Sequence, residues 1–186
     1  MKVAVYCSSK NDIASQHIEN ANIIGKWIGT NKATLIYGGI NLGLMKAVAD
    51  TAKSLGGKVV GIVPVSRKNN TYPKNDENII VDDLNDRKAK MIMLADVFVV
   101  LAGGYGTLDE FISTLTSLSF ANDKTKSIIV LNYNGIFNHT FAQLKQMTQN
   151  GLMDSNILQR VKIAITATEC CELLQQCKSH LKSSQK

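Results

Sequence analysis

The chain has 186 residues, 45% hydrophobic and 19% charged, with 21 basic against 15 acidic side chains and a formal net charge of +6. That length and composition fit one compact soluble domain and exclude a disordered chain. The longest apolar run, Val97 to Ala102, is too short to span a bilayer, so no membrane association is expected.

In chain order, short β-branched runs alternate with segments of helical period. The predicted strands are Lys2–Cys7, Thr34–Tyr37, Lys58–Val63, Ile79–Val81, Val97–Leu101, Ser127–Leu131 and Lys162–Thr166. Most are continuously apolar, as strands covered on both faces should be. The predicted helices are Ser15–Gly29, Gly43–Leu55, Leu84–Ala95, Leu108–Phe120, Ile136–Gln149 and Glu169–His180. The pattern predicts an α/β protein, a Rossmann-like doubly wound parallel sheet of about seven strands in a single domain. The domain is expected to span residues 1–177, with 178–186 a polar basic tail holding Lys178, Lys182 and Lys186. The one long polar connection, Ser66–Asn78, reads as a flap or a contact for another subunit.

Met1-Lys2 runs straight into Val3-Ala4-Val5-Tyr6 rather than into a secretory leader, and a cytoplasmic protein is expected. Cys7, Cys170, Cys171 and Cys177 form no Cys-x-x-Cys pair and have no histidine at metal-ligand spacing. They read as free structural thiols. The other basic residues are scattered without interleaved aromatics, so no nucleic-acid partner is expected.

Ligands of open parallel sheets bind at the carboxyl ends of the strands. The residues following the strands include Ser8-Ser9, Gly38-Gly39, Gly43-Leu44-Met45, Arg87-Lys88, Gly103-Gly104-Tyr105-Gly106-Thr107 and Asn132-Tyr133-Asn134. The Gly103–Thr107 turn leaves an apolar strand and opens a helix, so its backbone can approach an anion and its first N–H groups can hold a phosphate. Thr107-x-x-Glu110 is also a capping box, and Thr107 can serve as cap, ligand contact or both. Two nucleotide motifs fail. A dinucleotide fingerprint from Gly104-x-Gly106 needs a third glycine where Asp109 stands, and Gly38 to Gly43 has P-loop spacing but is followed by Leu44-Met45. Arg87 stands at the head of its helix's apolar face, four and seven positions before Met91 and Leu94. Its partner is a nearby carboxylate such as Asp83, or Glu110, or a substrate oxygen. His17, His139 and His180 are expected away from this edge.

These residues resemble the Lonely Guy proteins, cytokinin riboside 5'-monophosphate phosphoribohydrolases whose relatives carry the label of possible lysine decarboxylases. The resemblance rests on Asp86-Arg87-Lys88-Ala89-x-Met91, on Gly-Gly-Tyr-Gly-Thr-x-x-Glu ending at Glu110, and on the stretches around Gly38-Gly39, Gly43-Leu44-Met45, Gly56-Gly57 and Asn132 to Gly135. It implies hydrolysis of the N-glycosidic bond of adenosine 5'-monophosphates, N6-modified or not, to free base and ribose 5-phosphate. By this resemblance Arg87 and Glu110 are the catalytic pair. Gly103, Gly104, Tyr105, Gly106 and Thr107 form the cradle of the substrate phosphate, with Lys88, Leu108, Asp109 and Thr116 as further substrate-binding positions. It implies a homodimer or larger homo-oligomer and neither metal nor organic cofactor. Nothing resembles a pyridoxal-phosphate site, which disfavours lysine decarboxylation. Ala102, Leu84, Ser8 and Lys46 depart from the family's proline, methionine, glycine and glycine, and Ser8 and Lys46 are expected to enlarge side chains near the pocket. The same fold also resembles molybdenum-cofactor carriers and nucleotide-sensing relatives, which leaves a non-catalytic binding protein as the alternative.

Overall fold

The computed structural model describes residues 1–121 and 125–183. Seven strands, β1 (Lys2–Tyr6), β2 (Thr34–Tyr37), β3 (Lys58–Pro64), β4 (Glu77–Val81), β5 (Val97–Val100), β6 (Ser127–Leu131) and β7 (Val161–Ala164), alternate with six α-helices. The helices are α1 (Ser15–Thr30), α2 (Gly43–Ser54), α3 (Leu84–Leu94), α4 (Tyr105–Phe120), α5 (Asn138–Gln149) and α6 (Ala167–Ser183). All pairings are parallel and the strand order is β4-β3-β2-β1-β5-β6-β7. The chain winds outward in both directions from β1 and β5, which places the topological switch point between their carboxyl ends.

Alternation along each strand builds the two faces of the core. Val3 and Val5 of β1 and Val97 and Val99 of β5 pack with Ile24, Leu44 and Leu174 of α1, α2 and α6. Ala4, Tyr6, Phe98 and Val100 face the other way, onto Met91, Phe111 and Leu144 of α3, α4 and α5. Both faces are covered over the inner strands, so these need no polar side, whereas the edge strand β4 leaves Glu77, Asn78 and Ile80 exposed.

Several expected boundaries move for identifiable reasons. Helix α4 starts at Tyr105, three residues before the predicted Leu108, because Gly104 already occupies the N-cap in extended backbone. The stretch before α5 is a short 3-10 turn, Tyr133–Gly135, in which Asn134 takes positive φ and breaks the helical path. Helix α6 runs through the expected boundary at 177. The Lys178 ammonium donates to the Asn31 carbonyl and Oδ1, at 3.2 and 2.8 Å, and lies 6.0 Å from the Trp27 ring centroid, fastening α6 to α1. Of the expected tail, residues 184–186, including Lys186, lie outside the described residues.

The expected flap is strapped down. A 3-10 turn covers Val65–Asn70, and Tyr72 is buried. Tyr72 N–H donates to the Gly39 carbonyl at 2.8 Å and its hydroxyl to Asp50 Oδ1 at 2.6 Å. The Tyr37 hydroxyl donates to Asn75 Oδ1 at 2.8 Å. Burial and the Asp50 carboxylate together push the Tyr72 hydroxyl far above its ordinary range, so it stays a donor. Among the described residues no helix is long and apolar enough to cross a membrane.

Candidate active site

Helix α3 follows β4 and begins where Asp83 caps it, its Oδ1 accepting from the N–H groups of Asn85 and Asp86 at 2.7 and 2.9 Å. Asp83 is therefore spent on the backbone, and Arg87 turns to α4. The Arg87 Nη2 donates to Glu110 Oε1 at 2.7 Å, with the two side chains 13% and 3% exposed. Glu110 holds this position because it is the buried face of the first turns of α4, flanked by Thr107, Phe111 and Thr114. It does not reach back to the helix start, and Gly104, not Thr107, is the N-cap, so the expected capping box does not form. Thr107 is nonetheless buried, and its Oγ1 lies 2.0 Å from where a Cβ on Gly103 would stand. Gly103 is there to admit the threonine.

A cleft of about 200 Å³ opens at the switch point. Its walls are Cys7, Ser8, Ser9 and Lys10 after β1, Met45 of α2, Arg87 of α3, and Gly104, Tyr105, Gly106, Thr107 and Glu110 of α4. Gly43, at φ +54°, lets α2 start against the same loop, since a Cβ there would sit 2.3 Å from the Lys10 carbonyl. No side chain caps α4, and although Thr107 N–H already donates to the Gly104 carbonyl at 3.0 Å, the N–H groups of Tyr105 and Gly106 and the positive end of the helix dipole are left to an anion. Arg87 Nε is buried and has no partner among the described residues, a donor for a ligand oxygen.

Burial drives the electrostatics. It pushes the Glu110 carboxyl up to about 7 against the pull of Arg87, with Asp109 raising it further and Lys88 lowering it. Burial and then Glu110 push the Cys7 thiol far above its ordinary range, which makes it an inert part of the wall. Behind Glu110, Thr114 Oγ1 donates to the Glu110 carbonyl and contacts the Tyr6 hydroxyl, both at 2.8 Å. Thr114 spends its proton on that carbonyl, so Tyr6 is the donor to Thr114.

Six of the expected site residues thus meet in the cleft: Arg87, Glu110, Gly104, Tyr105, Gly106 and Thr107. Five take other places. Gly103 lies beneath Thr107, and Leu108 packs against the core. Lys88 Nζ is bound to both oxygens of Asp109 at 2.8 Å, and neither residue lines the cleft. Thr116 lines a separate apolar groove of about 510 Å³ between α4 and α5. Lys46 is also outside the cleft, ion-paired with Asp50 one turn on, so of the two departures expected to place larger side chains near the pocket only Ser8 lines it. Cys7, Lys10 and Met45 were not assigned to the site from sequence. Position was the available signal: Cys7 and Lys10 follow β1, which borders the switch point, and Met45 follows β2 beside it. His17, expected elsewhere, stands in the first turn of α1 with its ring edge-on to Tyr133 at 6.0 Å, on the ligand edge but outside the cleft.

The profile of the family described as possible lysine decarboxylase matches residues 45–174. A cytokinin riboside 5'-monophosphate phosphoribohydrolase of Mycobacterium marinum is 31% identical over 180 residues, 94% of this chain and 92% of the relative. The protein of the same name from Rhodococcoides fascians is 31% identical over 162 residues, 86% of this chain and 81% of its own length. LOG5 of Arabidopsis thaliana, also so named, is 29% identical over 181 residues, 96% and 78% of the two chains. Among solved structures, the molybdenum cofactor carrier protein of Chlamydomonas reinhardtii superposes with a TM-score of 0.74 at 22% identity, over 96% of this chain and 98% of that one. The molybdenum cofactor binding protein of Rippkaea orientalis gives 0.70 at 22% identity, over 94% and 95%. The structural likenesses establish the shared fold, and the profile match over most of the chain, together with the sequence relatives, places this chain in the possible lysine decarboxylase, or Lonely Guy, family.

Proposed function

We propose that the protein hydrolyses the N-glycosidic bond of adenosine 5'-monophosphates, N6-modified or not, giving free base (a cytokinin or adenine) and ribose 5-phosphate. The observation that carries this reading is the buried Arg87–Glu110 pair at the floor of a cleft whose other wall is an uncapped helix start. The names of the sequence relatives point the same way.

The chemistry follows from charge. As the base departs with the bonding electrons and takes up a proton from solvent, the sugar becomes oxocarbenium-like, and a carboxylate beside C1' stabilises it and takes a proton from the attacking water, to be returned to solvent. Glu110 supplies that carboxylate. Arg87 favours the ionised form of Glu110 against the burial that raises it, aligns it through Nη2, and offers Nε to a ribose or phosphate oxygen. The phosphate sits at the start of α4, on the backbone of Gly104 to Thr107, and holds the ribose over the pair. A cleft of about 200 Å³ suits ribose phosphate, and the base extends toward its rim, where Tyr105 is 93% exposed.

We further propose a homodimer or larger homo-oligomer in the cytoplasm. The apolar α4–α5 groove, with Leu152 78% exposed beside it, gives a surface for a second copy. Free thiols at Cys7, Cys170, Cys171 and Cys177 suit a reducing compartment.

The reading is tested by incubating the protein with AMP and with N6-isopentenyl-AMP and following free base by chromatography, beside Arg87→Ala. Base release that disappears in the variant is expected. Binding of a monophosphate with no base released from either compound would favour the non-catalytic carrier reading.

A further inference from the structure

Charge does not balance in the cleft if only α3 and α4 furnish it. A phosphate monoester carries about −1.5 to −2 charges at neutral pH, and a helix start offers roughly half a positive charge. The Arg87 guanidinium already faces the Glu110 carboxylate, so that pair adds little net charge. Among the described residues the cleft wall holds one other cation, Lys10. Its ammonium has no ion pair or hydrogen bond among the described residues, whereas Lys46 and Lys88 on the neighbouring helices are joined to Asp50 and Asp109. The backbone beneath Lys10 is held firmly. Lys10 N–H donates to Ser8 Oγ at 3.1 Å, Ser8 N–H to the Ala102 carbonyl at 3.1 Å, Leu44 N–H to the Ser8 carbonyl at 3.0 Å and Gly43 N–H to Asn11 Oδ1 at 3.1 Å. Gly43 takes its positive φ against the Lys10 carbonyl of this same loop. The loop is ordered and the ammonium is uncommitted, so little backbone freedom is lost when an anion binds.

We propose that Lys10 is a further substrate-binding residue, the counter-charge for the substrate's 5'-phosphate, and that it selects for a terminal phosphate monoester. This deepens the hydrolase reading of the cleft and rests on its placement of the phosphate at the start of α4. Lys10 meets the phosphate from the wall that follows β1, while α4 holds it from the wall that follows β5. It adds to the contacts that the family resemblance implies for Lys88 and replaces none of them. A lysine suits the task, because its compact ammonium carries three donors and neutralises a phosphate without a fixed fork geometry. Lys10 acts on the phosphate and not on the bond that breaks, so it binds ground state and transition state alike. Its loss therefore falls on KM rather than on kcat. The base takes no part in the contact, and the selection extends to any base carried on ribose 5-phosphate.

The test compares the parent with Lys10→Met, which removes the charge and keeps an unbranched stem, and Lys10→Arg, which keeps the charge. Two quantities are measured: kcat and KM for base release from AMP, and the dissociation constant of ribose 5-phosphate by calorimetry, a ligand with the phosphate and no glycosidic bond to break. Lys10→Met should raise KM and weaken ribose 5-phosphate about tenfold each, with kcat within about threefold of the parent. Lys10→Arg should keep all three within about threefold. Lys10 is exposed, so in the parent its acetylation by an N-hydroxysuccinimide ester can be followed by mass spectrometry, and ribose 5-phosphate should slow it where ribose does not. A raised KM in Lys10→Met with ribose 5-phosphate affinity unchanged would move the residue to the base and overturn the proposal. So would unchanged KM and affinity, or acetylation that ribose 5-phosphate does not slow. If the parent releases no base, the hydrolase reading falls separately, and ribose 5-phosphate still decides. Weakening in Lys10→Met together with protection in the parent supports Lys10 as the phosphate's counter-charge, and the absence of either, or of any binding by the parent, refutes it.

Discussion

At the scale of single residues, the account turns on a carboxyl kept out of water. Glu110 is 3% exposed and its carboxyl is pushed up to about 7 by burial, against Arg87. If the ionised form is the catalyst, kcat/KM in the free enzyme falls as pH drops below about 7, and a pH-rate profile reads that limb directly. The same shift is a stability statement. A folded-state value above the ordinary carboxyl value of 4.5 means that Glu110 contributes stability fully below 4.5 and loses it as pH rises through about 7. Denaturant midpoints should therefore fall for the parent relative to Glu110→Gln across that window, and a constant difference would contradict the shift. The hydroxyl pair behind it is structural support. Thr114→Val leaves the Tyr6 hydroxyl buried without its acceptor, and should cost about 1–3 kcal/mol in thermal or denaturant unfolding.

Between elements, the site depends on close approach. Gly25 and Gly29 lie one turn apart on α1, and a Cβ on them would come within 2.6 Å of the Val48 carbonyl and 2.7 Å of the Ala52 carbonyl of α2. Gly25→Ala must push the helices apart at a backbone atom, so a loss of about 1–3 kcal/mol is expected in a denaturant melt. Helix α2 starts on the wall of the cleft, where Met45 lies, and the strain would be felt there. This glycine pair shows where sequence reading stops. Strand and helix identities followed from period, because apolar runs such as Val97–Val100 and the Met91 spacing reflect burial that each element needs by itself. Gly25 and Gly29 carry no such local signature, since what they make room for is 23 residues away in sequence. The same holds at the site. Arg87 and Glu110 were singled out through the resemblance, and the structure pairs them at 2.7 Å. The pairing of Lys88 with Asp109, the opening of Thr116 onto another groove, and the Lys10 and Met45 walls depend on how α2, α3 and α4 are placed, which no single segment records.

For the whole molecule, the order β4-β3-β2-β1-β5-β6-β7 brings the loops after β1 and β5 together, and this gives the fold one ligand edge with a single sharp crevice between its halves. The apolar groove lies between α4 and α5 and shares no residue with that crevice, so the proposed substrate contact of Thr116 requires assembly. Sedimentation should then show a dimer or larger species that Leu152→Glu weakens, and a monomer at working concentration would remove that role. The central claim is that the Arg87–Glu110 pair breaks a glycosidic bond rather than merely gripping a nucleotide. Its most direct test is to measure AMP binding and base release side by side for the parent and Glu110→Gln. Binding within about threefold of the parent with release lowered about 10²–10³-fold is the predicted result, the order expected when one transition-state charge stabiliser is lost. Undiminished release by Glu110→Gln would contradict it.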